Sequence, residues 1–337
     1  MRAYVVSGPR LGRVEDVPAP TAAPGQVVVD VHQVGVCGTD VEFFVGAMAY
    51  LHQNHTRYPV RLGHEWCGVV SALGDGVDPA WLGRRVTGDT MLGCGHCHRC
   101  RTGRHNVCEH RSEIGLRGSV PGALAEQLAV PASALLALPD PVDDTAGAMV
   151  EPGGNALRAV RAAMLSPGER VLILGTGTIG LLAAEFARAQ GAEVHLMGNV
   201  ESSLEFARGL GFPGVWTRPE LPELAWDSVI DASNAPDLPA LALDLVEPGR
   251  RIVYIGLAGS PSLIDTHALV LKDVTAVGIL AASQGLADTI ASYAAGHVDP
   301  RPLVAAVVGL AEVGDVLAGR RPGDAGAGPK IHIDPRR

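Results

Sequence analysis

Cys94, Cys97, Cys100 and Cys108 are separated by two, two and seven residues. Four thiolates at that spacing can wrap one tetrahedral Zn²⁺ with no coordination position left open, so the site they predict is structural and carries no chemistry. A second constellation differs in kind. Val36-Cys37-Gly38-Thr39-Asp40 sets a thiol two residues before a hydroxyl in a glycine-bearing turn, and Gly63-His64-Glu65 and Glu151-Pro152 lie downstream. Singly, these side chains read as a small thiol, a core histidine and two solvated carboxylates. Together Cys37, His64, Glu65 and Glu151 make a mixed N, O and S ligand set for a catalytic Zn²⁺.

A third constellation, Gly175-x-Gly177-x-x-Gly180, follows the apolar run 171–174 and opens a stretch, 181–190, with helical apolar spacing. In that setting the glycines permit a tight turn and bring a helix N-terminus up to a pyrophosphate. Gly175, Gly177, Thr178, Ile179 and Gly180 are therefore the expected coenzyme contacts. Where an acid ordinarily holds the adenosine ribose, the chain reads Gly198-Asn199-Val200-Glu201. Asn199 removes the carboxylate that repels a 2′-phosphate, which inclines the reading to NADP over NAD. No arginine is its sequence neighbour; Arg208 and Arg218 are within plausible reach, and Glu201 is the substitute acid that would return the preference to NAD.

The elements that must position these groups fall into two textures. Residues 1–90 read as short strands and turns, with strands at 27–32 and 67–73 and a brief helix at 40–48 capped by Thr39 or Asp40. From about 167 strands alternate with helices, at 171–174, 194–197, 228–232, 251–255 and 275–279, the pattern of a parallel α/β sheet. A helix at 286–295 and a last strand at 330–333 are expected in the tail, which should return to the N-terminal part. Cys67 falls in an apolar strand and is expected in the core.

At 337 residues the chain is long enough for two domains, and its 47% hydrophobic content suits packed cores. A formal charge of -9 argues against nucleic acid as a partner, even though His96, His98, Arg99, Arg101, Arg104 and His105 flank the four cysteines. No apolar run approaches the ~20 residues of a membrane span, and residues 1–9 do not resemble a signal peptide. A cytoplasmic protein is expected, in which reducing conditions favour metal ligation of the cysteines over disulfides.

Gly-Val-Cys-Gly-Thr-Asp (35–40), Gly63-His64-Glu65, the four-cysteine lobe, Glu151-Pro152, the glycine fingerprint and Lys330-Ile331-His332-Ile333 occur in an order that resembles the zinc-dependent medium-chain alcohol and polyol dehydrogenases. The resemblance implies a GroES-like β-rich catalytic domain over 1–152, a Rossmann NAD(P)-binding domain over 153–280, and a segment, 281–337, completing the first. It also implies a homodimer or homotetramer, a small-molecule alcohol or ketone substrate, one catalytic and one structural zinc, and metal-assisted hydride transfer to NAD or NADP. Glu151, where alcohol dehydrogenases place a cysteine, resembles the sorbitol, glucose and threonine dehydrogenase branches; in these, either it or Glu65 bonds the metal. Thr39 corresponds to the hydroxyl that passes the proton toward the coenzyme, its plainer role being helix capping. The relay position five residues after Cys37 is Glu42, with His52 and His55 as possible deputies. Gly153 and Gly154 either widen the pocket beside the metal or serve helix packing, Asn155 has a substrate amide or a helix start open to it, and Phe43, Phe44 and Trp66 are candidates for an apolar wall. Two rival readings use the same residues: a zinc-independent reductase of activated double bonds, and an NADPH- and zinc-binding sensor without turnover.

Overall fold

The computed structural model describes residues 1–337. Strands β1 (Arg2–Gly8) and β2 (Leu11–Asp16) form an antiparallel hairpin. They are followed by β3 (Gln26–Gly35), helix α1 (Gly38–Val45), β4 (Glu65–Leu73), β5 (Arg85–Gly88), β6 (Gln127–Pro131) and β7 (Leu135–Ala137). β3 organises this part: β4 and β6 pair antiparallel with it, β5 extends β4, and β7 extends β5. The expected strands at 27–32 and 67–73 are thus present and somewhat longer, because pairing on both sides of β3 satisfies backbone groups beyond the apolar run.

The helix α2 (Val150–Ala163) leads into the second part. There follow β8 (Arg170–Leu174), α3 (Thr178–Ala189), β9 (Glu193–Met197), β10 (Gly214–Trp216), β11 (Trp226–Asp231), β12 (Val246–Tyr254), α4 (Thr266–Leu271) and β13 (Thr275–Gly278). All pairings are parallel, in the order β10-β9-β8-β11-β12-β13. Counted along the chain this is 3-2-1-4-5-6, the doubly wound order whose crevice opens at the carboxyl ends of the strands beside the first one.

After α5 (Leu286–Ala294), β14 (Val304–Val308) and β15 (Lys330–Ile333) carry the chain back. β15 pairs parallel with β14 and antiparallel with β3, His332 opposite Gly35 and Ile333 opposite Val34. The two ends of the chain thereby share one seven-stranded sheet. No helix is long and apolar enough to cross a membrane.

Three expectations are corrected by packing. α1 starts earlier than predicted, at Gly38, with Cys37 rather than Thr39 or Asp40 as its N-cap, and it ends at Val45. Phe43, Phe44 and Trp66 are not a pocket wall: all are buried in the core of the β-rich part, with Val29, Leu62 and Leu128. Gly153 and Gly154 are likewise buried, and they do not open space beside the candidate ligands. A Cβ on Gly153 would lie 2.2 Å from Tyr293 Oη and one on Gly154 2.8 Å from the Ala282 Cβ, so the glycines let α5 and its approach press onto α2. Tyr293 then donates to the Met149 carbonyl at 3.1 Å, holding the start of α2 and with it Glu151. Cys67 is core, as expected.

Candidate active site

The turn that carries Cys37 is fixed by a carboxylate. Asp40 is fully buried at the third position of α1, where its Oδ2 accepts from the Cys37 backbone N–H at 2.9 Å and its Oδ1 from the Gly63 N–H at 3.3 Å. The same Oδ1 lies 3.5 Å from His64 Nδ1. Burial alone would raise this carboxyl; His64 and the two backbone donors outweigh it and hold the group below its ordinary range. One anion therefore clamps both ligand-bearing segments, and by facing Nδ1 it leaves Nε2 of His64 free to bind.

Cys37 Sγ, one ring nitrogen of His64 and a Glu65 carboxylate oxygen all lie within 4.8 Å of one another. Thiolate, imidazole and carboxylate are the donor types that Zn²⁺ takes. Glu65 is buried, and both its oxygens accept from Lys330 Nζ, at 2.9 and 2.7 Å; that ammonium also donates to the Val36 carbonyl at 3.0 Å. Desolvation would lower Lys330, yet the charges of Glu65 and Cys37 more than offset it and raise its pKa.

Glu151 does not belong to that tight trio. It is buried beside it, on the first turn of α2, where Asn155 Nδ2, one turn on, donates to its Oε1 at 2.8 Å and to its carbonyl at 3.1 Å. Asn155 is thus turned onto Glu151. Burial pushes the Glu151 carboxyl up to about 7, and Glu65 adds to the rise, against the pull of His64, Asn155 and Lys330. A carboxyl so poised can hold or release a proton near neutrality.

Thr39 Oγ1 is 3.9 Å from Cys37 Sγ, half-buried at the open start of α1. Glu42, three residues on, shares its helix face; partial burial raises its carboxyl. His52 and His55 are engaged elsewhere, His52 on the Gly46 carbonyl at 3.1 Å and His55 edge-on against the Tyr50 ring.

The four remaining cysteines converge as well, their sulfurs all within 4.8 Å. Cys94 and Cys100 are 3.9 Å apart, and Cys97 and Cys108 3.8 Å. Zn–S bonds of 2.3 Å in a tetrahedron require sulfurs about 3.8 Å apart, so the cluster already has the dimensions of a closed zinc site. Backbone N–H groups of His96 and Cys97 hold Cys94 down to about 6, favouring the thiolate.

In the parallel sheet, β8 ends at Gly175 with φ +111°, and α3 begins at Thr178 with Gly177 as its N-cap. Gly180 is packed under the turn, where a Cβ would stand 1.9 Å from the Gly175 carbonyl oxygen; Gly177 faces open space and leaves the helix N-terminus, with Thr178 and Ile179, accessible. Beside it is a cavity of about 470 Å³ lined by Gly175, Asn199, Arg218 and Asp237, among others. Met197 at the end of β9 pairs with Trp216 at the end of β10, and this adjacency carries Arg218 to the wall that Asn199 shares. Arg218 pairs there with Asp237 at 2.8 Å, whereas Arg208 and Glu201 face each other at 2.7 Å and neither lines the cavity.

Comparison with known proteins places these two halves. Residues 23–140 match the alcohol dehydrogenase GroES-like domain and residues 178–294 the zinc-binding dehydrogenase domain. An L-threonine 3-dehydrogenase of Idiomarina loihiensis is 33% identical over 276 residues, 78% of this chain and 79% of its own. This chain belongs to the zinc-dependent medium-chain dehydrogenases. Solved structures agree across the whole fold: one described as a short chain alcohol dehydrogenase of Escherichia coli CFT073 complexed with NADH (25% identity) and a zinc-binding dehydrogenase of Sinorhizobium meliloti 1021 bound to NADP (26%) each cover 99% of this chain and are themselves covered to 99%, both with a TM-score of 0.89. As a member of this family the protein is an NAD(P)-dependent dehydrogenase acting on a small-molecule alcohol.

Two groups that shape this dehydrogenase site carry no role in the sequence reading beyond a cap and a strand. Lys330 is one of only two lysines and alternates with isoleucines in a short strand, a placement that, when buried, demands an acidic partner. Asp40 occupies the third helical position after its cap, where a carboxylate reaches back to the capping N–H.

The Glu151 carboxyl gives a stability test. Its folded pKa, near 7, exceeds the ordinary 4.5, so between those values the folded state binds a proton that the unfolded state has lost, and stability falls as pH rises. In zinc-depleted protein, denaturation between pH 5 and 8 should show Glu151→Gln removing up to about 3 kcal/mol of that decline. Parallel pH profiles for wild type and variant would contradict it.

Proposed function

We propose that the chain oxidises a secondary alcohol flanked by further polar groups, in a polyol, sugar, cyclitol or amino-alcohol, at a zinc ion held by Cys37, His64, Glu65 and Glu151, with NADP as the preferred hydride acceptor. The observation that carries this reading is the convergence of the Cys37, His64 and Glu65 ligand atoms with a buried Glu151 beside them. A double-bond reductase has no need of that donor set. The L-threonine 3-dehydrogenase relative supports an alcohol with a polar neighbour. In this proposal residues 1–152 and 281–337 form the catalytic unit and 153–280 the coenzyme domain, Cys94, Cys97, Cys100 and Cys108 hold a structural zinc, and the free state of all six cysteines suits a reducing cytoplasm.

Bound at the mixed site, the ion supplies Lewis acidity that lowers the pKa of an alcohol hydroxyl. The chain's own groups do the rest. Asp40 holds the Cys37 turn and His64 in register, Lys330 balances Glu65, and Asn155 aims Glu151. Thr39 takes the alcohol proton and hands it outward, with Glu42, on the same face of α1, as the next acceptor. Gly175, Gly177, Thr178, Ile179 and Gly180 seat the pyrophosphate at the N-terminus of α3, and Asn199 with Arg218 favours a 2′-phosphate.

We further propose a homodimer or homotetramer assembled on the outer strand of the parallel sheet. β13 is one of the two edges of that sheet, and Leu257, Val270 and Leu271 near it are 68, 72 and 73% exposed. An unpaired edge beside apolar side chains is a pairing surface.

Three measurements check these proposals. Metal analysis should find about two zinc ions per chain and about one in Cys37→Ser, whose turnover in a screen of polyols, sugars, cyclitols and amino-alcohols drops more than about a hundredfold; full turnover in Cys37→Ser removes the mechanism. Arg218→Ala should raise the KM for NADP about tenfold and leave that for NAD unchanged, and equal effects on both would withdraw the coenzyme assignment. Light scattering should give a mass two or four times 34.9 kDa, reduced by Val270→Asp with Leu271→Asp; a monomeric wild type refutes the assembly.

A further inference from the structure

The segment leading to Gly63-His64 carries a cation with nothing to balance it. Arg61 is half-buried, its Nε has neither solvent nor a hydrogen-bond partner, and its guanidinium makes no ion pair. Arginine cannot relieve such burial by losing its proton near neutrality. Desolvation alone lowers it, and only to about 10, so it remains a cation, and no neighbouring charge acts on it. A partly desolvated guanidinium with an unpaired Nε and no counter-charge favours an anion beside it. Thr56, 3% exposed, adds a hydroxyl that is also buried without a partner.

Both groups line one cavity of about 230 Å³ together with Arg57. Apart from Ser119 its remaining walls are apolar, from Val5 of β1 and Val17 just after β2 to Val60 and Pro121, and no carboxylate lines it. None of its residues is a candidate zinc ligand or lines the coenzyme cavity. We propose that Thr56, Arg57 and Arg61 form a binding site for a small phosphate-type oxyanion, free phosphate or a phosphate monoester, on the catalytic part of the molecule and separate from the coenzyme site. Two guanidinium groups and a hydroxyl offer donors to several oxygens of one dianion, and the apolar walls can cover a short organic substituent. The site is mechanically joined to the metal ligands. The Arg61 carbonyl accepts from Gly122 N–H at 2.8 Å, the Gly63 carbonyl from Ala123 N–H at 2.8 Å, and His64 follows directly.

The test is titration calorimetry of the zinc-loaded protein, saturated with NADP to block the coenzyme cavity, at constant ionic strength with chloride replaced by inorganic phosphate or by methyl phosphate, an ester with no hydroxyl for the metal site to oxidise. Saturable binding of one phosphate per chain is expected, weakened at least about tenfold by Arg61→Met and several-fold by Arg57→Ala and Thr56→Val. Tighter binding of the ester identifies a phosphorylated metabolite as the occupant, and equal binding identifies free phosphate. Arg57 is exposed, so Arg57→Ala retains the fold and keeps the test decisive even where Arg61→Met is unstable. Absence of saturable binding by the wild type, or affinities unchanged in Arg57→Ala and Thr56→Val, overturns the proposal.

Discussion

The buried carboxylate of Asp40 is the constraint on which the site depends. Cys37 and His64 come from segments that are not adjacent in the chain, one leaving β3 and the other entering β4. Pairing of β3 with β4, which sets Gly35 opposite Glu65, brings them to the same end of the sheet but does not orient their side chains. Asp40 does, by accepting from Cys37 N–H and Gly63 N–H and by facing His64 Nδ1. A fully buried carboxylate that accepts two backbone N–H groups and faces an imidazole is expensive to misplace, so the geometry of the turn and the orientation of the histidine are decided together.

A second buried charge ties the far end of the chain to the same place. Lys330 enters on β15 and closes on both oxygens of Glu65 and on the Val36 carbonyl. Removing either member of a buried pair of this kind costs about 3–5 kcal/mol, because the other is left unbalanced. The same contact makes assembly of the site conditional on complete folding. Until the last strand has added to β3, Glu65 has no counter-charge, and the ligand set is unfinished.

What could be read without coordinates was local. The four cysteines, the glycine fingerprint and the alternation of strands with helices each lie within a few tens of residues, and spacing alone carries their meaning. The candidate ligands can be named as residue types because donor chemistry limits the choice, and the fold brings Cys37, His64 and Glu65 together. What escaped depends on neighbours distant in sequence. Gly153 looks like a means of widening a pocket until Tyr293, from a helix well over a hundred residues later, is found filling the space. Arg218 lacks any sequence link to Asn199; the register of β9 with β10 supplies it. β14 was missed because its short run of valine and alanine is consistent with helix or strand, and only pairing with β15 decides.

The charges gathered at the site define what must complete it. Asp40, Glu65 and Glu151 are buried carboxylates, and Cys37 is anionic whenever it acts as a ligand. Against them stand Lys330, whose ammonium is already committed to Glu65 and a carbonyl, and His64, whose imidazole, despite burial, is drawn toward its charged form by Asp40. Glu151 registers the imbalance: burial and the Glu65 charge drive its carboxyl toward the neutral form. A dication placed among these donors would reverse that drive, ionising Glu151 and converting repulsion between two carboxylates into shared attraction to one centre. A divalent ion is thus compatible with these charges, and its binding would move the protonation of Glu151.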